Sequence, residues 1–170
     1  MNKNIVPVAV LSIALTAFGF LVMDAHGAGM SMGSAHAQTT EHFPYGHPGP
    51  SGKPATVIHI QALDTLRFKP ESITVHRGET VKFVVSNDGK LTHEFVIGDA
   101  ALQAAHEKEM QAMVGKPMHD VNGIILPPGQ TKTLVWTFTR DGVTEYACHE
   151  PGHFAAGMVG KITITSGKHG

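Results

Sequence analysis

From Thr56 onward hydrophobic and polar positions alternate with a period of two, and glycine and proline interrupt the alternation at short intervals. The pattern predicts strands over Thr56–Gln61, Thr65–Lys69, Ser72–His76 and Thr80–Asn87, broken at Lys69-Pro70, Arg77-Gly78 and Asp88-Gly89. Val81, Phe83 and Val85 fall on one face and belong to a core, which leaves Lys82 outside. Further strands are predicted over Thr92–Gly98, Gly123–Leu126, Thr131–Thr139, Val143–Cys148 and Val159–Thr165. Leu134, Trp136 and Phe138 alternate inward in one of them, and Ile162 with Ile164 in another. Two stretches depart from this rhythm. Asp99–Val114 is rich in helix formers, with Asp99 to cap it and Gly115 and Pro117 to end it. Leu102, His106, Met110 and Met113 form one stripe along that helix, a pattern expected to pack on the body of the fold. Residues 38–54, rich in Gly, Pro, His and Ser and without apolar period, read as a flexible arm. Seven to nine short strands with turns between them predict an all-β fold, an antiparallel two-sheet β-sandwich with a short helical insertion.

Composition adds limits. A length of 170 residues leaves room for one domain, and a net charge of -1 gives no basis for nucleic-acid binding. Residues 1–37 read as a signal peptide: Lys3 at the start, an apolar run from Ile5 to Val22, and a small-x-small site at Ser34-Ala35-His36-Ala37. The apolar run is short for a membrane span and lacks a stop-transfer pattern, so a cleaved, periplasmic protein without a stable membrane anchor is expected. Residues 55–170 then form the folded domain. In an oxidising compartment a single cysteine has no internal disulfide partner, so Cys148 is either a free thiol or a metal ligand. Ser-His-Asp spacing, a phosphate loop and a basic stripe are all missing, and no enzyme is expected.

The stretch YACHEPGHFAAGMVGK, Tyr146 to Lys161, decides between those two fates for Cys148. Cys148, His153 and Met158 stand five residues apart, with Pro151, Gly152 and Gly157 bending the backbone between them. A thiolate, an imidazole and a thioether on one loop make most of a mononuclear copper site, and the second imidazole that a trigonal site needs is best supplied by His93. Cysteine with two histidines is also a zinc set, but a thioether in fourth place favours copper. A zinc-binding or purely structural exported sandwich is the alternative reading.

The lone strand His followed by Y-x-C-x4-H-x4-M-x-G-x-I resembles the cupredoxins, the small blue-copper proteins, over roughly residues 55 to 166. RFKPESITVHRGETVKFVVSN is similar to the early strands of that family, and the ligand loop is similar to that of rusticyanin. The resemblance implies a Greek-key sandwich, one type 1 copper held by His93, Cys148, His153 and Met158, and one-electron exchange with a redox partner protein such as a cytochrome or oxidase. Phe154, Ala155 and Ala156 either form an apolar rim at His153 where such a partner would dock or simply pack within the loop. Two positions depart from the family pattern. Glu94 follows His93 where a small polar residue is usual, and His149, directly after Cys148, is expected to point away from the metal as a solvated loop residue, like His119. The His- and Met-rich segments are similar to those of periplasmic cupredoxins associated with copper tolerance. His42, His47, His106, Met110, Met113, Met118 and His119 are therefore candidates for collecting a second ion, Cu(I).

Overall fold

Strands β1 (Gly46–Pro48), β8 (Thr131–Phe138), β5 (Thr80–Asn87), β2 (Thr56–Leu63) and β3 (Arg67–Lys69) form one sheet, in that order. The other runs β4 (Ser72–His76), β10 (Val159–Thr165), β9 (Gly142–Ala147), β6 (His93–Gly98) and β7 (Gly123–Leu126). The computed structural model describes residues 43–52, 54, 56–112 and 120–167. The expected signal peptide, His42, Met113, Met118 and His119 lie outside them. Among the described residues no helix is long and apolar enough to cross a membrane.

The alternation read from the sequence becomes the sandwich interior. Val81, Phe83 and Val85 on β5, Trp136 and Phe138 on β8, and Ile162 and Ile164 on β10 are all at most 2% exposed. At their centre Phe95 of β6 meets Phe68 edge-on at 5.9 Å, tilts against Phe83 at 5.4 Å and stacks on Tyr146 at 5.1 Å. Each such ring contributes about 1.5–3 kcal/mol by leaving water. The ring contacts also set the distance between the sheets beneath the start of β6.

The expectation of a wholly antiparallel sandwich is corrected at two pairings, since β5 runs parallel to β2 and β10 parallel to β4. The chain leaves the first sheet after β3, spends β4 in the second, and returns at β5, so β5 re-enters beside β2 in the same direction. Within the expected arm, residues 43–52 are described. Gly46–Pro48 pairs with β8, and Phe43 packs edge-on against Trp136 at 5.1 Å. A Cβ on Gly46 would come within 2.3 Å of the Thr137 carbonyl oxygen and 2.4 Å of Trp136 Nε1, so only glycine admits this approach. Pro48 ends the edge strand, where its missing N–H costs no ladder bond.

Helix α1 (Ala100–Ala112) begins where Asp99 Oδ1 accepts the Leu102 amide at 2.9 Å, the cap expected there. It lies on the outer face of the second sheet, which explains why all of β6 is buried: His93, Phe95 and Ile97 face the core, and Glu94, Val96 and Gly98 face the helix. Gln103 Nε2 donates to the Val96 carbonyl at 2.9 Å. The buried positions of α1 are Gln103 and His106, whereas Leu102 and Met110 are only half-buried. The helix meets the sheet through polar groups because the strand face beneath it carries Glu94.

Candidate metal centre

Three neighbouring strands of the second sheet end together. On either side of Ala147, the last residue of β9, stand Val96 of β6 and Val159 of β10. His93 opens β6, Cys148 directly follows β9 and Met158 directly precedes β10, so the register alone gathers all three at one end of the sandwich. The loop from Cys148 to Met158 closes on itself through backbone bonds: Cys148 N to Met158 O at 3.1 Å, Met158 N to His153 O at 3.0 Å and His153 N to Glu150 O at 2.9 Å. Gly152 and Gly157 take φ of 83° and 85°, the left-handed region that glycine occupies without strain. From outside the loop Arg67 Nη1 donates to the Ala156 carbonyl at 2.8 Å.

These constraints bring donor atoms of His93, Cys148 and His153 within 4.8 Å of one another. Cys148 Sγ lies 3.3 Å from His153 Nδ1 and accepts the Glu94 amide at 3.2 Å. The two imidazoles sit 5.1 Å apart, centre to centre. His93 Nδ1 is buried without any hydrogen-bond partner, while Nε2 of the same ring faces Asp64 Oδ1 at 3.4 Å. An orphaned nitrogen beside a thiol and a second imidazole is the arrangement a metal ion completes. Burial pushes the Cys148 thiol up to about 12, although the Glu94 and Glu150 amides oppose the rise. Metal-free, it is therefore a protonated and inert thiol, and a metal has to displace its proton. Burial, and then the neighbouring His93, push the His153 imidazole down, so it is neutral and free to donate its lone pair. Met158 is fully buried beside Cys148 in the core cluster.

Behind the thiol lies a polar layer that sequence reasoning missed. His149 does point away from the other donors, but it is 2% exposed rather than solvated. Its Nδ1 lies 2.8 Å from Glu107 and its Nε2 2.7 Å from Gln103, both on α1, and its ring stacks on Phe154 at 4.7 Å. Helix α1 thereby grips the loop one residue from Cys148, and the His149 ring carries that hold on to Phe154, one residue from His153. Glu94 is also buried, with Oε2 3.6 Å from His106 Nε2, and the other nitrogen of His106 stands 3.4 Å from Asp120. His106 of the expected copper-collecting stripe thus faces carboxylates.

Burial pulls the His106 imidazole down, but its contact with Glu94 and the charges of Glu94, Asp120 and Glu109 outweigh that, and the net shift is upward from 6.5. A group whose folded value is raised stabilises the fold fully below its unfolded value and loses that contribution as pH rises through the folded one. His106→Gln is expected to lower thermal stability more at about pH 6 than at about pH 8. An equal loss at both would show that the imidazolium charge contributes nothing to stability.

Residues 55–165 match the family of copper binding proteins of the plastocyanin/azurin type. The chain is 41% identical over 167 residues to the copper-resistant cuproprotein CopI of Rubrivivax gelatinosus, covering 96% of this chain and 99% of that one. To the protein of the same description from Vibrio cholerae it is 36% identical over 172 residues, covering 96% and 99%. Auracyanin B is similar in structure, with a TM-score of 0.58 at 24% identity over 71% of this chain and 96% of that one, a likeness of fold.

Proposed function

Because the chain belongs to the plastocyanin/azurin family of copper-binding proteins, we propose that its centre is a type 1 copper site, in which His93, Cys148, His153 and Met158 would hold one copper ion. The observation that carries this reading is that His93, Cys148 and His153 bring donor atoms within 4.8 Å of one another, with His93 Nδ1 buried and without a hydrogen-bond partner. Bound copper supplies a one-electron couple. The chain's own part is to hold the donors still. Three strand ends and a self-bonded loop fix them, and burial of His93, Cys148 and Met158 keeps water away from the metal. Titrating Cu(II) and Zn(II) into the metal-free protein tests the reading: an intense visible thiolate-to-copper band is expected, and its absence with tight zinc binding would favour the zinc alternative.

We read the physiological role as copper tolerance in the periplasm after removal of residues 1–37. The support is the copper resistance named for the relatives and the soft donors outside the centre. It is the reading of a copper-handling electron carrier rather than of an enzyme. His42, His47, His106, Met110, Met113, Met118 and His119 would then be candidates for collecting Cu(I). Titrating Cu(I) into the Cys148→Ser protein, with and without Met110, Met113 and Met118 changed to Leu, tests that role. Binding by the first only is expected, and binding by neither would reduce the segment to packing.

Electrons are proposed to leave through His153, the half-buried ligand, toward a redox partner. Phe154 is partly committed to His149, so the docking rim narrows to Ala155 and Ala156, with Leu91, 44% exposed, near His93. Ala155→Glu is expected to slow exchange with a redox partner while leaving the absorption spectrum unchanged, as stopped-flow traces would record. Unchanged rates would point to another face.

A further inference from the structure

Asp64 stands in the turn between β2 and β3, 29 residues from His93 in sequence, and its carboxylate collects three donors from one short stretch. Oδ2 accepts the Lys90 amide at 2.8 Å, and Oδ1 accepts the Leu91 amide at 3.2 Å. Oδ1 also faces His93 Nε2 at 3.4 Å. The turn between β5 and β6 closes down on this carboxylate because residue 89 is glycine: a Cβ there would lie 2.1 Å from Asp64 Oδ1. Both oxygens accept from backbone amides, as those of a carboxylate do. A carboxylate only accepts, so the His93 ring carries its proton on Nε2, which leaves the buried, unpartnered Nδ1 bare.

We propose that Asp64 is a positioning residue of the copper centre, whose carboxylate fixes the His93 tautomer and, by drawing on its N–H, makes Nδ1 a stronger donor that favours Cu(II) over Cu(I). The inference rests on the type 1 reading above. A carboxylate behind an imidazole stabilises the more highly charged metal ion because its full negative charge is felt through the ring. The side chain is 37% exposed, so solvent screens part of this effect and salt weakens it further. The same carboxylate also ties the turn that carries Leu91 to the start of the ligand strand, so charge and shape must be separated experimentally.

Asp64→Asn separates them, since it keeps an acceptor oxygen and the side-chain size but removes the charge. It is expected to weaken Cu(II) about tenfold with Cu(I) nearly unchanged, measured with competing chelators for each ion. A tenfold change in that ratio is a rise of about 59 mV in reduction potential for one electron, read independently by spectroelectrochemistry. Equal loss of both affinities, or an unchanged potential, would overturn the proposal and leave Asp64 as a turn anchor. The parent protein needs no variant: nitrogen NMR of its metal-free form is expected to show His93 protonated on Nε2, and the opposite tautomer would overturn the proposal even if the variant failed to fold. A parent protein that takes up Cu(II) without a visible band would sink the type 1 reading instead, and the tautomer measurement would still judge Asp64.

Discussion

Changing Cys148 to Ser abolishes the visible absorption of the Cu(II) protein and weakens copper by more than the about 10–100-fold that loss of an outer partner costs. The band needs the sulfur, and the affinity needs a soft anion. The fold survives, because a serine oxygen can still accept the Glu94 amide that Sγ accepts at 3.2 Å, and the expected stability change is within about 1 kcal/mol. Absorption and circular dichroism on the same sample separate the two effects. A Cys148→Ser protein that kept its visible band would remove Cys148 from the centre. Met158→Leu is the paired control: an axial thioether tunes the potential more than it retains the metal, so the variant is expected to hold copper with a changed potential. If it lost copper as completely as Cys148→Ser, the axial assignment would be wrong.

Phe95→Ala is expected to cost about 3–5 kcal/mol, a large share of the about 5–15 kcal/mol that holds a domain together. Phe95 touches Phe68, Phe83 and Tyr146, so its removal opens a cavity among side chains from both sheets, with little room to collapse. The cavity lies two positions along β6 from His93, and the site should loosen with the fold. Urea unfolding of the metal-free protein measures the loss. A change below about 1 kcal/mol would mean that these rings are not the packed centre of the sandwich.

Much of this was legible along the chain, for reasons that differ from residue to residue. The period-two runs located the strands because each has one face in the sandwich. Thr80–Asn87 shows this directly, with alternate positions buried as the pattern required. His93, Cys148 and His153 could be paired from type and spacing, since few roles other than metal binding call for a lone thiol five residues from an imidazole in a glycine-rich loop. What the sequence hid is what other chain segments cover. The parity of His149 was right, but α1 turns the outer face of β9 and β6 into a second interior, so pointing outward no longer meant meeting water. Glu94 looked like a poor substitute for a small polar residue until His106, from the same insertion, appeared against it. Edge strand β1 carried no hydrophobic signal, since backbone bonds and the Trp136 contact of Phe43 hold it. Asp64 was invisible because its partners come from a turn folded back onto it.

The parallel pairing of β4 with β10 sets the order in which this protein can mature. Ser72 lies opposite Lys161 and His76 opposite Thr165, so the second sheet closes only when distant parts of the chain meet, a slow event opposed by loop-closure entropy. Met158 immediately precedes β10, and the loop carrying Cys148 and His153 is tied to it, so the donors take their final places only once that strand has docked. Until then the thiol that ends up with no exposure stands open to oxidants, and with no internal partner its only disulfide is with another molecule. A weakened β4–β10 pair is therefore expected to lower the yield of copper-competent protein with every ligand intact, measured as the copper-loaded fraction after refolding.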